Sequence, residues 1–506
     1  MSRQLWATIL LLSLIVSGCA LSPRTPPAST DPIPQGASAN PSAEAARTGF
    51  TVVDRALVPT LRDAPLAGGK VQTKVPSVPA LRTLTTAMGI VRGQYLRSRA
   101  GDEPFELDWV LISSGKESLG FLLTVKTEAD KVVQTRMTAV WFDNRTNRAV
   151  PSAGLVRPGF WPQLTARVAD LAKTQNVDQA KVTAALASPA FPLGTGPALG
   201  FAANGDMVVS FSGRTVKDAP EPVQIVVPSE EAVHYLTEFG LRGQAGAKAP
   251  AANSGQTTVP TQPDPDLTPP TTSPSQGATP SSRPEVVDDR PNAQLTPDCR
   301  RLKCVALTFD DGPGPETTAA IRHLQAAKVG ATFFVLGTSV QNSTAGLAAT
   351  ALAGMDVESH TWVHTSMPGR TDAQLTEQVA KNADAIEKVT GLRPTLVRPP
   401  YGAKDARVAG LVGGHGGAIV NWSIDTLDWQ TRDTAKTVAA ASNPSPGDII
   451  LLHDIHATSV AAVPGILTAL KQKGFVVVPV TELAPPGSFQ AGVAYCSSPL
   501  RKNSKC

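Results

Sequence analysis

The sequence has no dense stripe of lysine and arginine, although its 506 residues carry a formal net charge of +4. This mild surplus does not indicate a nucleic-acid partner, which would call for clustered basic residues. It is compatible with an anionic cell surface. The hydrophobic fraction of 42% is ample for packed cores, and the length allows two or three domains.

Cysteine is scarce, and none of the five cysteines forms a CxxC pair. A structural zinc site built from four cysteines is therefore not predicted. Long apolar runs are also missing. The run 5–16 is the longest, and nothing else in the sequence is long and apolar enough to span a bilayer.

The first residues have the pattern of a secretory signal. Arg3 precedes the apolar run 5–16, which is too short for a comfortable membrane span. The run leads into Val-Ser-Gly-Cys at 16–19, which resembles a bacterial lipobox. The resemblance implies that Cys19 becomes the lipid-modified first residue of a protein anchored to the bacterial cell membrane and facing the cell wall. The alternative is an ordinary signal peptide with a chance cysteine.

Removing Cys19 leaves an even number of cysteines in an oxidising location, where disulfides form. The remaining four are Cys299, Cys304, Cys496 and Cys506. Four cysteines allow three pairings. We favour the two local pairs, which close short loops, and the alternative ties the end of the chain back to the start of its C-terminal region.

Composition divides the chain into segments with different expected behaviour. They are the signal 1–19, a Ser/Pro/Ala-rich tether 20–48, a globular region 49–243, a Pro/Thr/Ser-rich linker 244–297, a second globular region 298–487 and a polar tail 488–506. The linker contains almost no large apolar residues. It cannot bury enough surface to offset the cost of ordering, so we expect it to be extended.

The region 49–243 has an α+β pattern without a cluster of His, Cys and Asp. The predicted strands are 109–112, 120–125, 137–142, 207–211 and 223–227, and the predicted helices are 160–174 and 230–239. The string GDMVVSFSGRTVKDAPEPVQIVVPSEEAVHYL at 205–236 resembles the extracellular RsiV-like domain, which is found upstream of some cell-wall deacetylases.

The region 298–487 alternates strands with helical patterns. The predicted strands are 304–309, 331–336, 355–358, 395–398, 417–422, 448–452 and 475–480. Repeated β-α units indicate an α/β fold with parallel strands, closed as a barrel or open. The clearest helix is 372–390, where Thr371 can form a capping box with Gln374 and Gly391 ends the helix.

Polar clusters follow five of these predicted strands. Asp310 and Asp311 end the first, and adjacent acids on an extended backbone point to different sides, so they can perform two tasks. His360 and His364 follow the third. In a helical segment their imidazoles would lie one turn apart and could share a metal. With one carboxylate they make a site with open positions, which is typical of a catalytic metal.

The other three clusters are Arg398-Pro-Pro-Tyr-Gly, Asp425-Thr-Leu-Asp-Trp and Leu451-Leu-His-Asp. Together with Thr-Phe-Asp-Asp-Gly-Pro at 308–313 and His-Thr-Trp-Val-His at 360–364, they resemble, in order and rough spacing, the five motifs of the polysaccharide deacetylases (the NodB-homology domain, carbohydrate esterase family four). The resemblance covers about 185 residues. It implies a distorted (β/α) barrel of about seven strands.

The resemblance also implies roles for single residues. Asp310 would be the general base, and Arg398 would hold and tune it. Asp311, His360 and His364 would bind a divalent metal. Zinc is the preferred ion, with cobalt or another divalent ion as alternatives.

On the opposite side of the reacting bond, His453 would be the general acid that protonates the leaving amine, oriented by Asp428. The backbone amide of Tyr401 would help to bind the oxyanion and the substrate. Trp429 and Leu451 would shape the pocket for the acetyl methyl group. Amide hydrolysis needs an activated water, a Lewis acid for the carbonyl oxygen and a proton for the nitrogen, and this set offers one group for each.

The sequence therefore predicts a lipid-anchored, metal-dependent N-deacetylase, a hydrolase that acts on GlcNAc or MurNAc of peptidoglycan. Hydrolysis of chitooligosaccharides or of O-acetyl esters is the alternative within the enzyme class. A non-catalytic wall-binding or sensing lipoprotein is the alternative from another class. We expect a monomer that contacts the wall polysaccharide and, through Cys19, the membrane.

Overall fold

The computed structural model of the protein describes residues 49–99, 103–129, 132–187, 189, 193–257 and 297–506. The predicted signal with Cys19, the tether and most of the predicted linker lie outside these ranges. Within them, no helix combines the length and the apolar composition needed to cross a membrane.

Nine strands form two sheets in the N-terminal region. They are β1 (Arg62–Gly68), β2 (Val71–Ser77), β3 (Phe105–Gly115), β4 (Ser118–Ala129), β5 (Val132–Asp143), β6 (Arg148–Pro151), β7 (Ala198–Phe201), β8 (Met207–Phe211) and β9 (Val223–Val227). The first six make one sheet in chain order, in which β2 and β3 pair parallel and the other pairs are antiparallel. The last three make a small antiparallel sheet.

Five helices accompany these sheets. They are α1 (Arg82–Ser98), α2 (Trp161–Ala172), α3 (Gln179–Ala185), α4 (Ser229–Ala232) and α5 (Glu238–Lys248). The larger sheet has an apolar core on each face because successive side chains of a strand point to opposite sides. On β3, Leu107 and Leu111 belong to the core that includes α1, whereas Val110 and Ile112 belong to the core that includes α2 and the small sheet.

Two local expectations for this region differ from the structure. The helix predicted for 230–239 is interrupted after α4, because Leu236 forms a β-bridge with Val156, and α5 begins only after Thr237, which caps it. Residue 244, where the sequence predicts that the linker begins, lies inside a helix. Helix α5 continues to Lys248, and Asn253 is buried, with its amide donating to the carbonyl of Gly115.

The C-terminal region contains a second set of nine strands. They are β10 (Cys304–Asp310), β11 (Thr332–Val335), β12 (Asp356–Ser359), β13 (Leu396–Val397), β14 (Ala418–Val420), β15 (Ile424–Asp425), β16 (Ile449–His453), β17 (Val476–Val478) and β18 (Ala494–Tyr495). They form one curled parallel sheet in the order β15-β16-β10-β11-β12-β13-β14-β18, and β17 also pairs with β10. The predicted fold class, an α/β distorted barrel beside an α+β region, is confirmed.

The helices that follow these strands cover the outside of the sheet. They are α6 (Thr317–Ala326), α7 (Gly337–Asn342), α8 (Thr344–Leu352), α9 (Asp372–Thr390), α10 (Ala406–Gly414), α11 (Asp428–Thr431), α12 (Thr434–Ala441) and α13 (Ala457–Gln472). Helix α9 has the predicted boundaries. Thr371 and Gln374 form the capping box, and Gly391 ends the helix with a φ of 74°, which a side chain would disfavour.

The segment 488–506, for which the sequence predicts a polar tail, contains β18. This strand pairs parallel with β14 at one edge of the sheet, and Tyr495 is buried there. Both local disulfides are present, Cys299–Cys304 and Cys496–Cys506. The second disulfide closes the last loop of the chain. In the same loop Tyr495, the residue before Cys496, forms a β-bridge with Lys505.

Helix α1 packs against the barrel at the side where the parallel strands begin. Arg92 is buried and donates from Nη1 to the carbonyl of Thr390 at 2.8 Å. Arg97 donates to the carbonyl of Gly354 and to the buried carboxylate of Glu482. A cavity of about 60 Å³ lies between the two regions at this contact. The two globular regions therefore share a polar, largely buried interface.

Candidate active site

The polar clusters identified in the sequence meet at one edge of the parallel sheet. Asp310 ends β10 and His453 ends β16, and the two are register partners in neighbouring strands. His360 follows β12, Arg398 follows β13 and Asp428 follows β15. Parallel strands end at a common edge, which is where α/β folds assemble their sites.

Asp310 is buried and held by an arginine. Arg398 donates from Nη1 to Oδ1 of Asp310 at 2.7 Å and to the hydroxyl of Thr308 at 2.8 Å. Its other donors bond the carbonyls of Val420 and Asn421, both at 3.0 Å. Burial lowers the pKa of Arg398, and the neighbouring Asp310 carboxylate opposes that shift. All three nitrogens of the guanidinium are thus engaged, which fixes the carboxylate of Asp310 in place.

The side chain of Asp311 points in a different direction from that of Asp310. The backbone of Asp311 has a φ of 76°, a conformation uncommon for residues with a Cβ. Its Oδ1 lies 3.5 Å from Nε2 of His360 and 3.7 Å from Nε2 of His364. The next residue must be glycine. A Cβ on Gly312 would lie 2.5 Å from the carboxylate of Asp454. The two adjacent acids therefore have different surroundings.

His360 and His364 are not on a helix. The helical geometry considered from their spacing, with the imidazoles one turn apart, is therefore wrong. They lie in a loop that leaves the extended path at Thr361, where φ is 72°. Gln378, on α9, accepts a hydrogen bond from the amide of Val363 and holds this loop. The two imidazole centroids are 5.2 Å apart, so the loop brings the rings together without helical periodicity.

The hydrogen bonds of His360 define its tautomer. Nδ1 lies 2.7 Å from the carbonyl oxygen of Arg398, which can only accept, so Nδ1 carries the proton and Nε2 has its lone pair free. Burial would raise the pKa of Asp311, but His360, with smaller effects from His453 and His364, lowers it to about 2. Asp311 is therefore an anion at neutral pH.

These three residues fit a divalent metal. Their ligand atoms all lie within 4.8 Å of one another, and Oδ1 of Asp311 is buried without a hydrogen-bond donor among the described residues. In a tetrahedral zinc site with bonds of about 2.1 Å, neighbouring ligand atoms are about 3.4 Å apart. The distances from Asp311 to the two imidazoles are close to this spacing. A set of two neutral nitrogens and one anionic oxygen suits zinc and leaves coordination positions open.

His453 is paired with a buried carboxylate. Its Nδ1 lies 2.9 Å from Oδ1 of Asp428, and its backbone amide donates to Oδ2 at 2.9 Å. Burial would lower the pKa of His453, but the bond to Asp428 and the charges of Asp310 and Asp311 raise it. In turn, the pKa of Asp428 is lowered, because the bonds from His453 outweigh its burial. These neighbours therefore stabilise the imidazolium form of His453 relative to that of a free imidazole.

The rim of the site carries exposed apolar side chains. Tyr401 is 68% exposed, has a φ of 61° and packs edge-on against His364 at 4.4 Å between centroids. Trp429 is 47% exposed and lies on the short helix α11. Leu451 is buried on β16. Both aromatic side chains are therefore accessible to solvent at the rim.

Several supporting residues were not identified from the sequence. Asn382 donates to the hydroxyl of Ser359 at 2.9 Å, directly before the first imidazole. The signal that could have found Asn382 and Gln378 is their spacing of four residues on α9, beside its apolar stripe. Asp454 is fully buried behind Gly312 and accepts from Thr317. The sequence gives it no distinguishing mark beyond its place after His453.

The comparisons with known proteins concern the C-terminal region. The family pattern described as polysaccharide deacetylase matches residues 298–417. The peptidoglycan-N-acetylglucosamine deacetylase PgdA of Listeria monocytogenes is 38% identical over 192 residues, which are 37% of this chain and 40% of the relative. The chain thus matches about two fifths of that relative's length.

The peptidoglycan-N-acetylglucosamine deacetylase of Bacillus cereus is 33% identical over 187 residues, which are 35% of this chain and 68% of the relative. Among solved structures, the peptidoglycan deacetylase PdaC from Bacillus subtilis is 35% identical, with a TM-score of 0.35, and the match covers 36% of this chain and 90% of that one. The match to the Bacillus cereus protein includes most of that relative. The chain belongs to the polysaccharide deacetylase family.

Proposed function

We propose that the protein hydrolyses N-acetyl groups on GlcNAc or MurNAc residues of a cell-wall polysaccharide. The observation that carries this proposal is the pairing of a carboxylate held by an arginine with an imidazole held by a second carboxylate. Asp310, fixed by Arg398, and His453, fixed by Asp428, are register partners at the ends of neighbouring strands beside the Asp-His-His cluster. A base and an acid on two sides of one reacting amide are what its hydrolysis requires.

Asp311, His360 and His364 would hold the divalent metal, with zinc preferred and cobalt or another divalent ion as alternatives. When bound there, the ion supplies Lewis acidity for the acetamide carbonyl and for the attacking water. The remaining chemistry belongs to the protein's own side chains. Because Nδ1 of His360 bonds the carbonyl of Arg398, the lone pair of Nε2 lies on the side of Asp311 and is available to a metal ion held by both residues.

Asp310 would take a proton from the water as the oxygen of that water forms a bond to the acetyl carbon. Arg398 keeps the carboxylate oriented during this transfer. His453 would give its proton to the amide nitrogen as the carbon–nitrogen bond breaks, so that acetate and a free amino sugar are released. The backbone N–H of Tyr401 would donate to the carbonyl oxygen as negative charge develops on it, a contribution typical of oxyanion binding.

The choice of a wall polymer rests on the predicted location and on the substrates named for the relatives. A lipid anchor at Cys19 and an extended linker would place the site within the wall. Tyr401 and Trp429 would stack against sugar rings, and Leu451 would line the pocket for the acetyl methyl. Chitooligosaccharides carry the same acetamide, and acetyl esters need the same three groups, so both remain alternatives within this mechanism.

A non-catalytic wall-binding or sensing lipoprotein is the alternative of another class. The complete set of base, acid and candidate ligands favours an enzyme, because a binding module has no need of a buried arginine-held carboxylate beside a carboxylate-held imidazole. The experiment is acetate release from purified peptidoglycan and from chitin oligomers, each with and without chelator. Release that depends on metal and is faster on peptidoglycan supports the proposal. Absence of release from every acetylated polymer would overturn it.

A further inference from the structure

One arginine at the rim of the site has no part in the chemistry described above. Arg432 directly follows α11, the short helix that carries Asp428 and Trp429. It is exposed, and its φ is 50°, a conformation sparsely populated by residues other than glycine. Its Nε donates to the carbonyl of Trp429 at 2.8 Å. The side chain is therefore tied to the rim residue Trp429.

The charge of Arg432 has no carboxylate partner in the part of the chain that the structure describes. Its neighbour Asp433 is the obvious candidate. However, Asp433 caps α12 by accepting from the amide of Lys436 at 3.0 Å, and its other oxygen lies 3.9 Å from Nζ of Lys436. Asp428, one helical turn before Arg432, uses both oxygens on His453. The two Nη groups of Arg432 are left to solvent.

His456 stands on the same side of the site. It is half-buried, and its ring centroid is 5.9 Å from that of His453. It occupies the N-cap position of α13, but its side chain makes no capping bond. Burial and the positive charge of Arg432 lower the pKa of His456, so its ring is neutral at neutral pH and can still donate from one nitrogen. The rim beside His453 thus offers the two free Nη groups of Arg432 and one N–H of the neutral His456 ring as donors.

We propose that Arg432, with His456 beside it, binds a carboxylate carried by the sugar polymer next to the acetamide that is hydrolysed, and so gives the enzyme a preference for acidic glycans over neutral ones. Guanidinium–carboxylate pairs are favoured by charge and by their matching planar geometry. The inference rests on the proposed function, because it assigns a substrate class to the same site. A peptidoglycan strand offers two carboxylate sources, the lactyl ether of muramic acid and the stem peptide.

The test compares four glycans with wild-type protein and four variants. The glycans are chitin oligomers, peptide-free wall glycan with free muramyl carboxylates, the same glycan with its carboxylates converted to methylamides, and peptide-bearing glycan. The variants are Arg432→Gln, Arg432→Lys, His456→Gln and, as a charge-matched control, Arg322→Gln on the outer helix α6, where Arg322 is exposed. The readouts are the ratio of kcat/KM on each glycan to that on chitin oligomers and, by calorimetry on metal-free protein, the ratio of Kd values.

For Arg432→Gln we expect the preference for the carboxylate glycan to fall about two- to fivefold, the range typical of an exposed charge pair. Arg432→Lys should retain most of the preference, His456→Gln should lose less than Arg432→Gln, and Arg322→Gln should match wild type. The methylamide glycan should be insensitive to Arg432→Gln. A loss of preference confined to the peptide-free glycan identifies the lactyl carboxylate of muramic acid as the partner. A loss confined to the peptide-bearing glycan identifies a carboxylate of the stem peptide.

An unchanged preference ratio in Arg432→Gln, whatever its absolute rate, would overturn the inference, and so would an equal effect on acidic and methylamide glycans. Failure of the proposed function is a different result, in which wild type releases no acetate from any glycan. The calorimetric ratio then still decides whether Arg432 binds carboxylate, because it needs neither turnover nor metal.

Discussion

Arg398 donates a hydrogen bond of 2.7 Å to Asp310, and both side chains are almost completely buried. Burying a carboxylate is costly unless the group is paired and hydrogen-bonded, and Arg398 provides both the pairing and the hydrogen bond for Asp310. The adjacent Asp311 faces two imidazoles instead. One peptide bond thus separates two carboxylates with different chemistry, and the difference can be measured.

Asparagine at each position separates the two tasks. Asp310→Asn cannot accept the proton, so we expect a loss of turnover by a factor of about 100 to 10,000 with metal content retained. Asp311→Asn removes the anionic ligand, so metal content should fall, and excess zinc should restore part of the activity in this variant alone. The measurements are metal analysis after dialysis and acetate release against added zinc. Metal loss in Asp310→Asn with retention in Asp311→Asn would reverse the assignment.

A second prediction concerns the proton on His453. The bond to Asp428 raises the pKa of His453, so its acidic form should persist to higher pH than that of a free imidazole. Asp428→Asn removes this support. The alkaline limb of the profile of kcat/KM against pH should move to lower pH, and the maximal rate should fall. Asp425→Asn, on the neighbouring strand β15, is the matched control. An alkaline limb that does not move in Asp428→Asn contradicts the role of His453 as the acid.

The sequence predicts the fold where the pattern is local. Seven predicted strands correspond to strands of the barrel, because buried parallel strands leave apolar runs. The two-residue strands β15 and β18 leave no such run, and they are held by pairing with β16 and β14. The spacing of His360 and His364 suggested a helical turn, but the backbone at Thr361 is left-handed. A spacing of four residues cannot distinguish a helix from a loop that happens to converge.

Contacts between distant segments are the part that the sequence does not show. Arg92 and Arg97 lie on α1, which is not among the helices predicted from the sequence, and they bond Thr390 and Glu482 almost 300 residues or more away in the chain. No pattern in the sequence around these arginines indicates which residues they bond. The positions of the catalytic candidates were predictable because each follows a strand. The supporting residues Gln378 and Asn382 were not, since they lie inside helix α9.

The interface between the two globular regions provides a matched pair of substitutions. Arg97 and Arg62 both bond a glutamate of the barrel region, but the side chain of Arg97 is 12% exposed and that of Arg62 is 52% exposed. Arg97→Ala leaves Glu482 buried without its partner, and we expect a loss of about 3 to 5 kcal/mol in the free energy of unfolding. Arg62→Ala should cost less than about 1 kcal/mol. Denaturant unfolding followed by tryptophan fluorescence measures both, and equal small losses would show that the interface contributes little.

The lipid anchor is tested at a single thiol. Because the predicted lipobox attaches all lipid through Cys19, Cys19→Ala should release the protein from the membrane fraction of cells that express it. Cys299→Ala, outside the lipobox, serves as the control and should leave membrane association unchanged. Fractionation followed by immunodetection is the measurement. A Cys19→Ala protein found entirely with membranes would show that the lipobox interpretation is wrong.

Asp454 gives a prediction about stability and pH. It is fully buried behind Gly312 and accepts a bond from Thr317, while its other oxygen has no partner among the described residues. Burial raises the pKa of Asp454 to about 7, with Thr317 opposing the shift and the charges of Asp311 and Asp310 adding to it. An unfolded chain has an aspartate pKa of about 3.9. The folded protein therefore binds this proton more tightly than the unfolded chain does.

A folded pKa above the unfolded one means that the stability contributed by this group is complete below about pH 4 and is lost as the pH rises to about 7. Asp454→Asn cannot titrate and should escape that loss. With the metal removed by chelator, the difference in unfolding free energy, variant minus wild type, should rise by about 1.4 kcal/mol per pH unit across this window and then level off. Denaturant unfolding at pH values from 4 to 8 measures it, with the exposed Asp218→Asn as control. A flat or falling difference for Asp454→Asn would mean that Asp454 is ionised in the folded protein, where its charge would then face Asp310 and Asp311 directly.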